Sequence, residues 1–160
     1  MPNNVTIKSR DTIAAKLAEC YVTIGSRRYN FMQMIDMEAK VEKTKAEVPR
    51  LGAVMVGHKT VGMTGTFSGT AHYNQSVLRQ MLLDYKNTGE DIYFEMQITN
   101  DDPTSAAGRQ TIILYDCNTD GGVLAKFDAD GECIDEDIEG TFEDFSMPES
   151  FANLTGFLTN

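Results

Sequence analysis

The sequence predicts a mainly β protein, a sandwich- or barrel-like domain with one flanking α-helix and a long inter-strand loop. Three observations carry this. Strand-like runs recur about every ten residues along the chain. Only one stretch keeps an apolar stripe at helical spacing. No internal repeat, linker or change of composition marks a second domain, so one domain over residues 1–160 is expected.

The elements follow in order. Residues 1–16 are polar and mixed, and read as an N-terminal arm. From Cys20 the β-formers Tyr21, Val22, Thr23 and Ile24 run to a Gly25-Ser26 turn, and residues 29–34 return as the second half of a hairpin. Residues 37–44 alternate: Met37, Ala39 and Val41 point one way, Glu38, Lys40, Glu42 and Thr44 the other. Residues 60–72 are the longest strand candidate. Thr60, Thr64, Thr66, Ser68 and Thr70 share one parity, and Val61, Met63, Phe67 and Ala71 share the other. Val77, Leu78, Met81, Leu82 and Tyr85 mark the helix, with Asn74 as candidate N-cap and Gly89 as the stop. Strands are then expected at 93–99, 109–115, 123–127 and 137–145, with a turn at 118–122. A tail over 149–160 holds Phe151, Leu154, Phe157 and Leu158 at near-helical spacing.

One segment resists explanation as part of a compact monomer. Residues 48–59 contain Pro49, Gly52 and Gly57, which break regular structure. Yet the same stretch displays Val48, Leu51, Val54, Met55 and Val56, followed by His58 and Lys59. An apolar loop of this kind reads as a surface to be covered by another copy of the protein. Methionine, which adapts to irregular apolar contacts, fits that role at Met55.

Composition excludes several function classes. With 24 acidic against 14 basic residues the net charge is −10, the wrong sign for phosphate contacts to nucleic acid. Cys20, Cys117 and Cys133 show no CxxC spacing and read as reduced thiols, in keeping with synthesis in the cytosol. No apolar h-region opens the chain, and no run reaches the ~20 residues of a membrane-spanning helix.

Catalytic and metal motifs are not met. Asp116-x-Asn118-x-Asp120-Gly121 copies the first half of a calcium loop, but the twelfth position is Phe127, where a bidentate carboxylate is needed. A hairpin turn explains the same residues. His58 and His72 lie in no zinc motif, and no nucleophile elbow, P-loop or dinucleotide fingerprint is present. The expectation is a non-enzymatic protein without cofactor or catalytic residues. A monomeric β-barrel that binds a small ligand is the alternative, though it leaves the apolar loop unexplained.

Three segments carry a family resemblance: AKVEKTKAEVPRLGAVMVGHKTVGMTGTFSGTAHY (39–73), YKNTGEDIYFEMQITNDDPTSAAGRQTIILYDCN (85–118) and LAKFDADGECIDEDIEGTFEDF (124–145). They resemble the tail tube proteins of contractile phages and phage-tail-like bacteriocins, in the group found in Gram-positive prophages. NDDPTSAAGRQT and FEDF are the most specific pieces. The resemblance covers roughly residues 35–145; the first 30 residues and the last dozen match less well.

The resemblance implies a structural subunit that self-assembles into stacked hexameric rings, forming a conduit across the target cell envelope. Its partners would be further copies of itself, the sheath protein, the baseplate and tail-terminator proteins, and the tape-measure protein. DNA would be transported cargo, not a specific ligand, and no membrane anchor is implied. The particle would be assembled in the host cytoplasm. In this chain the inter-ring contact falls on Val48, Leu51, Val54, Met55, Val56, His58 and Lys59. Two sets compete for the lumen: the acidic Glu38, Glu42, Glu139 and Glu143, and the hydroxyl set with Thr64, Thr66 and Thr70. Alternation does not choose between them. The helix would present Arg79, Asp84 and Lys86 toward the sheath. A hexamer would carry a formal charge of about −60, a field that repels phosphates.

Overall fold

The computed structural model describes residues 6–154 and 156–157. Its strands are β1 (Ala18–Ile24), β2 (Arg27–Asn30), β3 (Met34–Val48), β4 (Gly57–His72), β5 (Phe94–Asp101), β6 (Arg109–Thr119), β7 (Asp135–Phe142) and β8 (Asp144–Glu149). One α-helix, α1 (Val77–Thr88), lies between β4 and β5. The mainly β class, the antiparallel pairing and the lone α-helix among the described residues agree with the sequence reading.

The chain divides into two compact units. Of the described residues, the first holds 6–32, 94–115, 145–154 and 156–157. β1 pairs antiparallel with β2 across the Gly25-Ser26 turn, where Gly25 takes a φ of 60°. β1 also pairs with β5, from Ala18↔Asn100 to Thr23↔Glu95. β5 neighbours β6, and β8 pairs with β6. Val22, Phe31, Phe94, Met96 and Leu114 are buried and form the core of this unit. The buried Thr99 and Thr111 hydroxyls bond each other at 3.1 Å, and Thr111 donates to Glu149 at 2.8 Å. Both buried hydroxyls are thereby satisfied.

The second unit holds residues 33–93 and 116–144. Its frame is the β3–β4 hairpin, with β7 on the other side of β4 from Gly65↔Phe142 to His72↔Asp135. The last residues of β6 continue the ladder through Asn118↔Thr141 and Thr119↔Gly140. Asp116, where β6 passes from one unit to the other, takes a left-handed φ of 52°, a conformation Asp tolerates better than most residues.

The core of this unit rests on reciprocal pairs. Phe67 on β4 stands opposite Gly140 on β7, and Phe142 on β7 stands opposite Gly65 on β4. A Cβ at Gly140 would overlap the Phe67 ring and the Asn118 carbonyl, and one at Gly65 would overlap the Phe142 ring. Each ring thus lies over the bare backbone of its partner strand, which allows both aromatics to be buried in a two-strand width. Ala71, Met81, Cys117 and Ile138 complete this core.

Several local expectations change. The helix begins after Ser76, not Asn74, and no side chain caps it; its C-terminal stop at Gly89, φ 75°, is as expected. No strand forms over 123–127. The carbonyls a ladder would use there are taken by side chains: Arg79 donates to Val123 O and Tyr73 to Leu124 O. The strand expected over 137–145 is divided by a bend at Glu143 into β7 and β8. In the described part of the tail the Phe157 amide donates to Leu154 O at 3.0 Å. Leu158 and residues 1–5 of the arm lie outside the described residues. Residues 9–11 form a short 3-10 turn.

Candidate assembly surface

The β3–β4 hairpin is far longer than its support. β3 has 15 residues and β4 has 16, but β7 ends opposite Gly65. Beyond that point the hairpin projects alone, and residues 40–64 are almost all exposed. The loop expected over 48–59 is therefore shorter. Val48 closes β3, while His58 and Lys59 belong to β4 and pair with Glu47 and Ala46. Regular ladder bonds persist through Gly57 because glycine in a strand interior weakens pairing without abolishing it. A register shift between Thr44 and Lys45 marks a bulge on this arm.

The tip, residues 49–56, is fastened from within. The Arg50 guanidinium donates to Met55 O at 2.9 Å, and its side chain lies over Gly57. Gly52 turns the chain at φ 77°. This clamp holds Leu51 and Val54 fully in solvent, with exposures of 107% and 101%, beside the exposed Met55 and Val56. Down the arm Val41, Val61 and Met63 are also exposed, with Lys43 paired opposite Met63 on the same face.

The opposite face is polar, and the register resolves which residues share it. Directly paired residues lie on one face. Asp36, Thr70 and Asp137 form one row; Glu38, Ser68 and Glu139 the next; Lys40, Thr66 and Thr141 the third; Glu42 pairs with Thr64. The acidic and hydroxyl sets, rivals in the sequence, are one surface. Its single cation in these rows, Lys40, lies 3.5 Å from Glu42. Glu143 does not belong to the rows, because it occupies the bend after β7.

The helix differs from expectation at one residue. Arg79 does not face outward. Its guanidinium lies 2.6 Å from the Glu136 carboxylate, with both side chains largely buried, and stacks 4.1 Å over the Tyr73 ring. It also donates to Val123 O and to Gln75 O. A buried carboxylate on β7 needs this partner, and Glu136 falls on the same strand parity as the buried Ile138. Asp84 is half-buried and accepts from Gln80 at 2.8 Å, while Lys86 is exposed in the last turn.

Two features escaped the sequence reading. One is this Arg79–Glu136 pair. The other is the turn at 102–107, where the buried Asp102 accepts the Ala14 and Thr104 amides at 3.0 and 2.9 Å. Those backbone donors, Ala14 first, hold its carboxyl below the ordinary value. Burial, in turn, pushes the Cys20 thiol up to about 11, which keeps it protonated and unreactive. Among the described residues no His, Cys, Asp and Glu side chains gather into a metal-binding group.

Comparison with known proteins gives this architecture a family. The family model described as "Phage tail tube protein" matches residues 5–149. The chain belongs to the phage tail tube family. Its relative, the phage-like element PBSX protein XkdM of Bacillus subtilis (strain 168), is 35% identical over 149 residues, covering 93% of this chain and 99% of the relative. The resemblance read from residues 39–145 is thus upheld at family level. Two solved structures share the fold at 10% identity. The anti-feeding prophage cap matches with a TM-score of 0.64 over 92% of this chain and 96% of the other. The sheath/tube terminator of the extracellular contractile injection system PVC matches at 0.61 over 92% and 99%. By its description, the family is one of structural components of the phage tail.

Proposed function

We propose that this chain is the structural subunit of the inner tube of a contractile phage tail or tail-like particle. Copies assemble into hexameric rings, and the rings stack into a hollow conduit. The observation that carries this reading is the distal half of the β3–β4 hairpin, whose two faces and two edges are all bare. Beyond Gly65 neither β7 nor any core side chain covers it.

Each bare surface has a physical use in such a tube. Among the described residues no strand pairs with the outer edge of β3, and a neighbour's strand would complete it, removing an aggregation hazard. A head-to-tail contact of this kind closes into a ring when its rotation permits. The polar rows then line the lumen. Asp36, Glu38, Glu42, Asp137 and Glu139 against Lys40 make it anionic, which lets DNA pass without adhering. Val48, Leu51, Val54, Met55 and Val56 at the arm's end, with His58 and Lys59 beside them, meet the next ring. Asp84 and Lys86 stay on the helix as candidate sheath contacts, without Arg79. Baseplate, terminator and tape-measure proteins are the further partners of this reading, and no catalytic step enters it.

Negative-stain electron microscopy over a concentration series tests it, beside a triple variant with Leu51, Val54 and Val56 changed to Ser. Rings or tubes of constant diameter in the parent, with stacking lost and the folded subunit retained in the variant, are expected. A monomer at every concentration that carries a small molecule in native mass spectrometry would sink the reading and favour a ligand-binding barrel.

A further inference from the structure

The turn at 102–107 fastens two stretches of the first unit that are remote in sequence. On the N-terminal side, Asp11 Oδ1 accepts the Ala106 amide at 3.0 Å, Asp102 Oδ2 accepts the Ala14 amide at 3.0 Å, and the Asp101 amide donates to Leu17 O at 3.2 Å. The clasp is reciprocal: a carboxylate from each partner takes an amide of the other. On the C-terminal side, Ala107 O accepts the Ala152 amide at 2.7 Å.

Ser105 lies between the two. Its hydroxyl donates to Asp11 O at 2.8 Å and accepts the Ala107 amide at 3.1 Å. Asp102, Ser105 and Ala107 are all buried. A series of bonds therefore runs from the Ala152 amide to Ala107 and through the Ser105 hydroxyl to Asp11 O. The Ala107 carbonyl and amide belong to adjacent peptide groups, so the bonds couple by position: each fixes Ala107 for the other. Losing either end leaves a buried donor or acceptor without its partner, which weakens the next bond in line.

We propose that this turn is a coupling device: docking of the N-terminal segment, residues 11–17, and docking of the C-terminal segment, residues 151–154, stabilise each other through the Ser105 hydroxyl. A pull on one segment is then felt at the other. The coupling is a property of the folded subunit and does not depend on the assembly reading.

Thermodynamic coupling is reciprocal, so the test perturbs both ends. Amide hydrogen exchange is measured on the full chain and on two variants, Ser105→Ala and Ala152→Pro, the second lacking the C-terminal amide hydrogen. Ser105→Ala is expected to speed exchange of the Ala106 and Ala152 amides together, by about tenfold. Ala152→Pro is expected to speed the Ala14 and Ala106 amides by a similar factor, although it touches nothing on the N-terminal side. Amides of β1 and β5 are expected to keep their parental rates in both. Unchanged Ala14 and Ala106 rates in Ala152→Pro would overturn the proposal. Equal acceleration throughout β1 and β5 would overturn it too, because the unit would then be loosening as a whole.

Discussion

The two halves of the β3–β4 hairpin belong to the same two strands but have opposite circumstances. Near its base, β4 is flanked by β3 on one side and β7 on the other, and Phe67 and Ala71 are buried at 2% and 0% exposure. Past Gly65 the same two strands continue, and β4 keeps Val61 and Met63 at the parity of Phe67, yet they are exposed at 62% and 57%. An isolated two-stranded ribbon is marginal in water. The distal half draws its order from continuity with the base and from the Arg50 clamp, not from a core of its own. Apolar side chains left uncovered in this way are the surface that the proposed contact between subunits would cover. Alternation therefore reports which face of a strand is apolar, and not whether that face is covered within the monomer.

The sharpest way to break this contrast is to truncate one apolar residue in each half. Phe67→Ala removes a ring seated on Gly140 and is expected to cost about 3–5 kcal/mol of subunit stability. Val61→Ala is expected to stay within about 0.5 kcal/mol, because its side chain is already in water. Urea unfolding of the unassembled subunit measures both. A loss of more than 2 kcal/mol (about the cost of burying an aliphatic side chain) in Val61→Ala would mean that the distal half has a core contact after all.

Glycines sharpen the same comparison at a smaller scale. Gly140→Ala places a methyl against the Phe67 ring and the Asn118 carbonyl, and overpacking of this kind costs about 1–3 kcal/mol. Gly62, on the arm, has nothing within 4 Å of where a Cβ would stand. Gly62→Ala is expected to be neutral or stabilising by a few tenths of a kcal/mol, about what is gained when a strand glycine gives up chain entropy. Equal destabilisation by the two changes, read as equal shifts of the urea midpoint, would refute the contrast.

These residues also show what the sequence carried. The strand and helix periods were legible because burial of Phe67, Ile138 and Phe142 on one face, against Glu139 and Thr141 on the other, writes a period of two into the chain. The long arm was misread as a loop at its end because Pro49, Gly52 and Gly57 are breakers in any local reading. Register alone made Gly57 a pairing residue. That register is also why the acidic and hydroxyl sets could not be merged beforehand: which Glu faces which Thr is a cross-strand fact. Arg79 on a helix surface and Glu136 on a strand look solvated separately. Only their meeting, 57 residues apart, makes them a buried pair. The strand expected at 123–127 failed for a related reason, since side chains from residues 73 and 79 claimed its carbonyls.

The smallest effect in the isolated subunit concerns the charge rows. Lys40 and Glu42 are both more than half exposed, and an ion pair in such surroundings contributes at most about 1 kcal/mol, often nothing measurable. Lys40→Glu is therefore expected to shift subunit stability by less than about 0.5 kcal/mol. Its consequence appears only when copies meet. Lys40 is the one cation among the rows that hold Asp36, Glu38, Glu42, Asp137 and Glu139. In a ring of the proposed kind, reversing it adds negative charge to a surface where six copies already face one another. Repulsion between like charges within a Debye length, about 10 Å at 0.1 M salt, then opposes closure. Assembly of Lys40→Glu is expected to require more salt than the parent, and to recover fully when salt is raised. The same reversal at Lys59, near the arm's end, is expected to change the salt requirement less. Light scattering of both variants across a salt series separates the two positions. If Lys59→Glu proved the more salt-dependent, the polar rows would not be the surface that converges in the ring.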